Sequence, residues 1–150
     1  MSVRLVTLVL LMACGGFSAA QEPEIDQAQL PRIPATEPED VLDTFEIRPG
    51  FKLKLVAHEP DIVDPIAMTF DADGGMYVIE MRGYSERRED ALGRIRYLRD
   101  HDNDGLFESS TVFKDDLKWP TGLVCYKGGV FVGASPDLFY FKDTDGDFVS

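Results

Sequence analysis

Seven carboxylates carry the most legible chemistry in this 150-residue chain. Asp100, Asp102, Asp104 and Glu108 fall at positions 1, 3, 5 and 9 of a stretch that turns at Gly105. Side-chain oxygens at that spacing converge on one hard cation, and Leu106 stands where a backbone carbonyl continues such a ladder. Thr111 occupies position 12, where a bidentate Glu is expected, and no helical pattern flanks the stretch. The expected site is therefore a β-hairpin calcium loop, weaker than a sensor site. Three aspartates within five residues repel one another, and a divalent ion relieves that cost. The competing reading is a solvated acidic turn. Asp143, Asp145 and Asp147 repeat the spacing, but Phe148 replaces the turn glycine and position 9 falls past Ser150. For this second stretch the acidic turn is the preferred reading. His101 holds a non-ligand position and is expected to face solvent.

Other chemically able residues are more isolated. Asp71-Ala72-Asp73-Gly74-Gly75 reads as a tight turn between strands. Glu80 and Arg82 end a strand before a polar stretch and are expected as a surface ion pair, with ligand contact as the alternative. His58 and Glu59 could supply a metal ligand or a base, but a lone His beside a proline-containing loop is read as neither. Trp119-Pro120-Thr121 is either an aromatic sugar platform or, preferably, a hydrophobic anchor. Cys125, in apolar surroundings, is read as a small buried hydrophobe.

The elements that must position these groups are strands. After Phe45 the apolar pattern has period two: Phe51 to Leu55, Met76 to Ile79, Arg94 to Leu98, Val130 to Val132 and Leu138 to Phe141 alternate or run apolar between Gly, Asp and Pro turns. No stretch of helical length there shows a helical stripe, so the expectation is all-β. Upstream, Arg4, the apolar run Leu5 to Ala13 and the small residues Ser18-Ala19-Ala20 form an export signal over 1–20, too short to span a bilayer, which takes about 20 apolar residues. Cleavage is expected before Gln21. The alternative is a lipobox at Leu11 to Gly15 that would lipidate Cys14. Residues 21–44, rich in Pro and Glu, read as a flexible spacer. With 27 acidic against 15 basic side chains and a net charge of −12, the chain repels phosphate backbones and anionic lipid, which excludes nucleic acid as a partner and favours cations.

An internal repeat organises residues 45–150. Asp64-Pro65-Ile66-Ala67-Met68, then Gly74-Gly75-Met76-Tyr77-Val78, matches Trp119-Pro120-Thr121-Gly122-Leu123, then Gly128-Gly129-Val130-Phe131-Val132. Ile95 to Asp104 matches Leu138 to Asp147 at an offset of 43, shorter than the offset of 54 between Gly75 and Gly129. The difference is assigned to an insertion over 83–93. A unit near 43 residues, strand and turn throughout, is expected of a β-propeller blade, with a two-sheet sandwich as second choice. Residues 45–150 then hold about two blades plus a closing strand at Phe51 to Val56. That is too few to close a propeller, so the chain is expected to be the front of a longer protein.

Residues 45–150, with their FEIRPGFKLKLVAHEP, DADGGMYVIEMRGY and LRDHDNDG segments, resemble the N-terminal propeller of the predicted membrane-bound dehydrogenases, also called the PVC-type haem-binding family. That propeller is similar to the soluble quinoprotein glucose and sorbosone dehydrogenases. The resemblance implies an exported oxidoreductase, periplasmic or extracellular, acting on a sugar or alcohol and passing electrons to a quinone or haem c, with a cytochrome as possible acceptor. It also implies that those cofactors are held outside residues 45–150. No Cys-x-x-Cys-His occurs, and no catalytic or quinone-binding residue is transferred. The alternative function is a non-catalytic, calcium-stapled propeller that binds carbohydrate or protein. Calcium is the one cofactor expected from the residues themselves, and no transmembrane helix is expected in the mature chain.

Overall fold

The computed structural model describes residues 33–150. The expected export signal over 1–20, Cys14 within it, and the first part of the expected spacer lie outside the described residues. Residues 36–44 are exposed or half-buried and carry one 3-10 turn, Val41–Thr44.

Seven strands follow: β1 (Pro65–Phe70), β2 (Met76–Glu80), β3 (Gly93–Arg99), β4 (Ser109–Leu117), β5 (Gly122–Tyr126), β6 (Gly129–Ala134) and β7 (Asp137–Phe141). All pairings are antiparallel between sequence neighbours, giving a first sheet β1-β2-β3-β4 and a second sheet β5-β6-β7. The described chain is therefore all-β, with no α-helix, and no helix among the described residues is long and apolar enough to cross a membrane. Four of the five expected strands are present. The fifth, Phe51 to Leu55, is not a strand, and Phe51 and Leu53 are exposed. Alternation gives a segment two faces but supplies no hydrogen-bonding partner, and 51–55 has no ladder to join. The segment instead leads onto the first sheet: the Phe107 amide donates to the Val56 carbonyl, and Ala57 and Ile62 cover Met76, Val78, Leu98 and Phe107.

The sequence repeat is also a structural one. Tyr77 pairs with Tyr97 across β2 and β3, while their counterparts Phe131 and Tyr140 pair across β6 and β7. The ring centroids lie 4.6 and 4.8 Å apart in the two pairs. Each tyrosine of the third strand lies over the glycine that opens the second. A Cβ on Gly75 would strike the Tyr97 hydroxyl, and one on Gly129 would strike the Tyr140 ring. Glycine is needed at both places for close approach.

Both faces of β2 are buried, in different ways. Tyr77, Ile79, Ile95, Tyr97, Phe113 and Leu117 meet Val130 and Val132 of the second sheet in one core. Met76, Val78 and Leu98 face the other way, under the 57–62 segment. Val78 and Val132, equivalent in the repeat, are both buried. They point the same way along the stack, so the valine face of the second sheet lies on the aromatic face of the first. The corresponding aromatic face of the second sheet, with Val124, Tyr126, Leu138 and Tyr140, is exposed.

Candidate metal centre

The loop joining β3 to β4 places the first four carboxylates together: one oxygen from each of Asp100, Asp102, Asp104 and Glu108 lies within 4.8 Å of the others. The turn is set by side chain to backbone bonds. Asp100 Oδ2 accepts from the Gly105 amide at 2.7 Å, Asp102 Oδ1 from Asp104 at 3.0 Å and Asp104 Oδ1 from Leu106 at 2.7 Å. These bonds draw the carboxylates inward, and Gly105, at φ +88°, supplies the left-handed step that closes the turn. Glu108 is anchored at the far end, where Oε2 accepts from the His101 amide at 2.9 Å. His101 itself is exposed, its ring bonded to the Ser109 hydroxyl.

One atom in this loop stands apart. Asp100 Oδ1 is buried and has no hydrogen-bond partner among the described residues. A buried carboxylate oxygen without a donor pays the desolvation cost with nothing in return. A cation among the four carboxylates would supply the missing partner, so the donor set fits a hard, oxygen-seeking ion such as calcium. Lys54, whose Nζ lies 3.8 Å from Asp104 Oδ1, brings one positive charge to the rim. The period-two pattern had placed Lys54 in a strand, and nothing local in the sequence connects it to a loop fifty residues on.

The second acidic loop follows β7 and copies the first bond for bond. Asp143 Oδ2 accepts from Phe148 at 2.9 Å, Asp145 Oδ1 from Asp147 at 3.3 Å and Asp147 Oδ1 from Val149 at 2.8 Å. Oxygens of Asp143, Asp145 and Asp147 also cluster within 4.8 Å. Phe148, expected to disturb the turn for want of a glycine, adopts the left-handed conformation at φ +64°. Packing holds it there: its ring stacks on Tyr97 at 5.5 Å, and the Arg99 guanidinium lies 4.0 Å from its centroid. Asp143 Oδ1 accepts from Asp145 and Gly146, so both its oxygens are engaged. The Gly146 and Phe148 amides hold its carboxyl below the ordinary value of 3.8.

Other expected site residues are placed as follows. Asp71 closes the β1–β2 turn, Oδ1 accepting from Asp73 and Gly75, and Oδ2 also takes the Tyr97 hydroxyl at 2.7 Å. Glu80 and Arg82 do not pair. Glu80 is fully buried and holds Arg94, its cross-strand partner, and Arg96, while accepting from the Val63 amide. Arg82 turns instead to the Leu92 carbonyl and Asp115. A surface pair was expected because neighbours along the chain are visible in sequence, whereas the cross-strand register that selects Arg94 is not. His58 and Glu59 are exposed, and among the described residues the His58 ring is bonded only to the neighbouring Glu59 carbonyl. Trp119 is half-buried, its ring 5.4 Å from Tyr84. Cys125 on β5 is half-buried beside the core, and it is the one cysteine among the described residues. A haem attached through two cysteines does not fit these residues.

Residues 37–150 match the family described as a domain of unknown function, DUF7133, and the chain belongs to that family. No curated protein and no solved structure matches the chain.

Proposed function

We propose that residues 45–150 of this DUF7133 member are the opening blades of a β-propeller, stapled by a calcium ion in the Asp100–Glu108 loop, in an exported dehydrogenase-like protein. The observation that carries the calcium assignment is Asp100 Oδ1, a buried oxygen without a donor on one of four clustered carboxylates. An ion there ties the start of β4 to the end of β3 and offsets repulsion that the loop otherwise bears unaided. The role is structural: a carboxylate cluster at a hairpin turn, bonded to its own backbone amides, orders the chain.

The propeller reading is supported by the way the two sheets stack, aromatic face against valine face, with the next aromatic face open. A further repeat of the same kind would cover it, and closure of such a series into a ring removes the exposed end faces. The dehydrogenase reading rests on the resemblance of residues 45–150 and places the redox cofactor, a quinone or haem c, outside them. A non-catalytic propeller that binds carbohydrate or protein would use the same staple.

Calcium added to the chelator-treated full chain should raise the melting temperature, because an ion that binds only the folded state stabilises it by mass action, by about 2.7 kcal/mol at a hundred times its Kd. Asp102→Ala should remove most of that rise and leave the calcium-free melt nearly unchanged. An equal calcium response in variant and parent would reject the site.

A further inference from the structure

A second cluster of polar groups lies away from the β3–β4 loop, in a cleft of about 530 Å³ between the two sheets. The β1–β2 and β5–β6 turns form its rim, with Asp71, Asp73, Tyr77, Tyr126, Lys127 and Asp143 among its lining residues. That volume suits a small ligand or one long side chain. Tyr77 is 7% exposed, and its hydroxyl has no hydrogen-bond partner among the described residues. The hydroxyls of the two paired third-strand tyrosines are satisfied: Tyr97 donates to Asp71, and Tyr140 donates to the Tyr126 carbonyl at 3.0 Å. Burial first, then the nearby Asp71, Cys125 and Asp143, push the Tyr77 hydroxyl up to about 12, so it stays neutral.

The free acceptors in this cleft can be counted. Asp71 takes bonds from Asp73, Gly75 and Tyr97, and Asp143 takes bonds from Asp145, Gly146 and Phe148. A carboxylate offers about four acceptor sites, so each keeps one, and the Tyr77 oxygen adds its own. Asp71, Asp73 and Asp143 against Lys127 leave the lining at two net negative charges. Phe70 and Tyr126, each about half exposed, add apolar ring surface. Lys127 already lays its Nζ 5.2 Å from the Tyr126 centroid, so this surface accepts an ammonium.

We propose that this cleft binds a primary alkylammonium group: the three acceptors meet its three N–H donors, and the rings cover its alkyl stem. An anion is disfavoured by the charge of the lining. A divalent metal needs six or more oxygens, where three acceptor positions remain. The inference is independent of the calcium reading.

The test is a titration of the isotopically labelled full chain with n-butylammonium chloride at fixed ionic strength, read by amide shifts, with n-butanol in parallel. Saturable shifts at Asp73, Lys127, Gly128 and Gly129 are expected with the amine and not with the alcohol. Tyr77→Phe keeps the ring and should weaken binding about tenfold, in line with the loss of one hydrogen bond to a charged group. Asp73→Asn, at an exposed turn position, should weaken it a few-fold, whereas Asp102→Ala should leave it unchanged. In a final arm, N-acetyl-lysine amide binding more tightly than butylammonium assigns the amine to a polypeptide lysine, and weaker binding assigns it to a free amine. Equal shifts with butanol, no saturable shift with the amine, or parental affinity in Tyr77→Phe would overturn the proposal.

Discussion

The two acidic loops share one hydrogen-bond plan and differ in what closes them. In the first, Gly105 takes the left-handed step, a fourth carboxylate closes the cluster, and one buried oxygen of Asp100 is left without a donor. In the second, Phe148 takes that step, its ring is laid on Tyr97, and both oxygens of Asp143 are engaged by backbone amides. The same run of aspartates can thus end in two ways. One loop leaves acceptors turned inward and wanting a cation. The other turns both oxygens of its first aspartate to its own backbone, which leaves Asp143 one acceptor site, and anchors itself by an aromatic residue packed against the core between the sheets. Spacing alone does not separate the two outcomes. The residue at the glycine position and the number of backbone amides on the first aspartate do.

The largest effect should come from removing the anchor of the second loop. Phe148→Ala should cost about 2 kcal/mol of stability, because it strips a half-buried ring from Tyr97 and Arg99. Phe148→Gly should recover up to about 1 kcal/mol of that loss, since glycine takes the φ of +64° without strain. Denaturant melts of the two variants check this, and a glycine variant no better than alanine would remove conformational strain from the account.

A smaller effect should follow from weakening the fourth ligand of the first loop. Glu108→Gln should weaken calcium binding about tenfold, the equivalent of about 1.4 kcal/mol, while the fold stays intact. Calorimetric titration reads it directly. An unchanged affinity would mean that Glu108 only orders the His101 amide.

The smallest effect concerns acid. Asp143 is held below its ordinary 3.8 in the folded chain, first by the Gly146 amide and then by that of Phe148. A carboxyl depressed in the folded state adds stability that is present above the ordinary value and is lost as pH falls through the lowered one. Asp143→Asn should therefore flatten the melting temperature against pH in the acid range around and below 3.8, and nowhere else. A parallel shift of the whole profile would show that Asp143 acts by something other than titration.

How far the sequence reveals these features depends on how local they are. The β2, β3, β6 and β7 strands are legible because period-two runs sit between turn residues. β4 is not, since in Ser109–Leu117 only Phe113 and Leu117 are buried and acidic and basic side chains break the alternation. Phe51 to Leu55 alternates best of all and is no strand, because a ladder needs a partner that no local pattern reports. The Asp100–Glu108 cluster spans nine residues, so its spacing fixes its geometry. Glu80 with Arg94 and Arg96, Phe148 on Tyr97 and the Tyr77 cleft all depend on register or on contact between sheets. The repeat aligns Tyr77 with Phe131 and Tyr97 with Tyr140, but it does not report that Tyr77 and Tyr97 face each other across two strands.

The central claim is that the first loop, and not its copy, is the strong cation site. Its most direct test is calcium stoichiometry by equilibrium dialysis on the full chain, its Asp100→Asn variant and its Asp143→Asn variant. Asp100→Asn keeps a side-chain oxygen for the Gly105 amide and takes the charge from the buried position. The account predicts one tight site in the parent, none in Asp100→Asn and one, undiminished, in Asp143→Asn. A tight site that survives Asp100→Asn, or that disappears with Asp143→Asn, would contradict it.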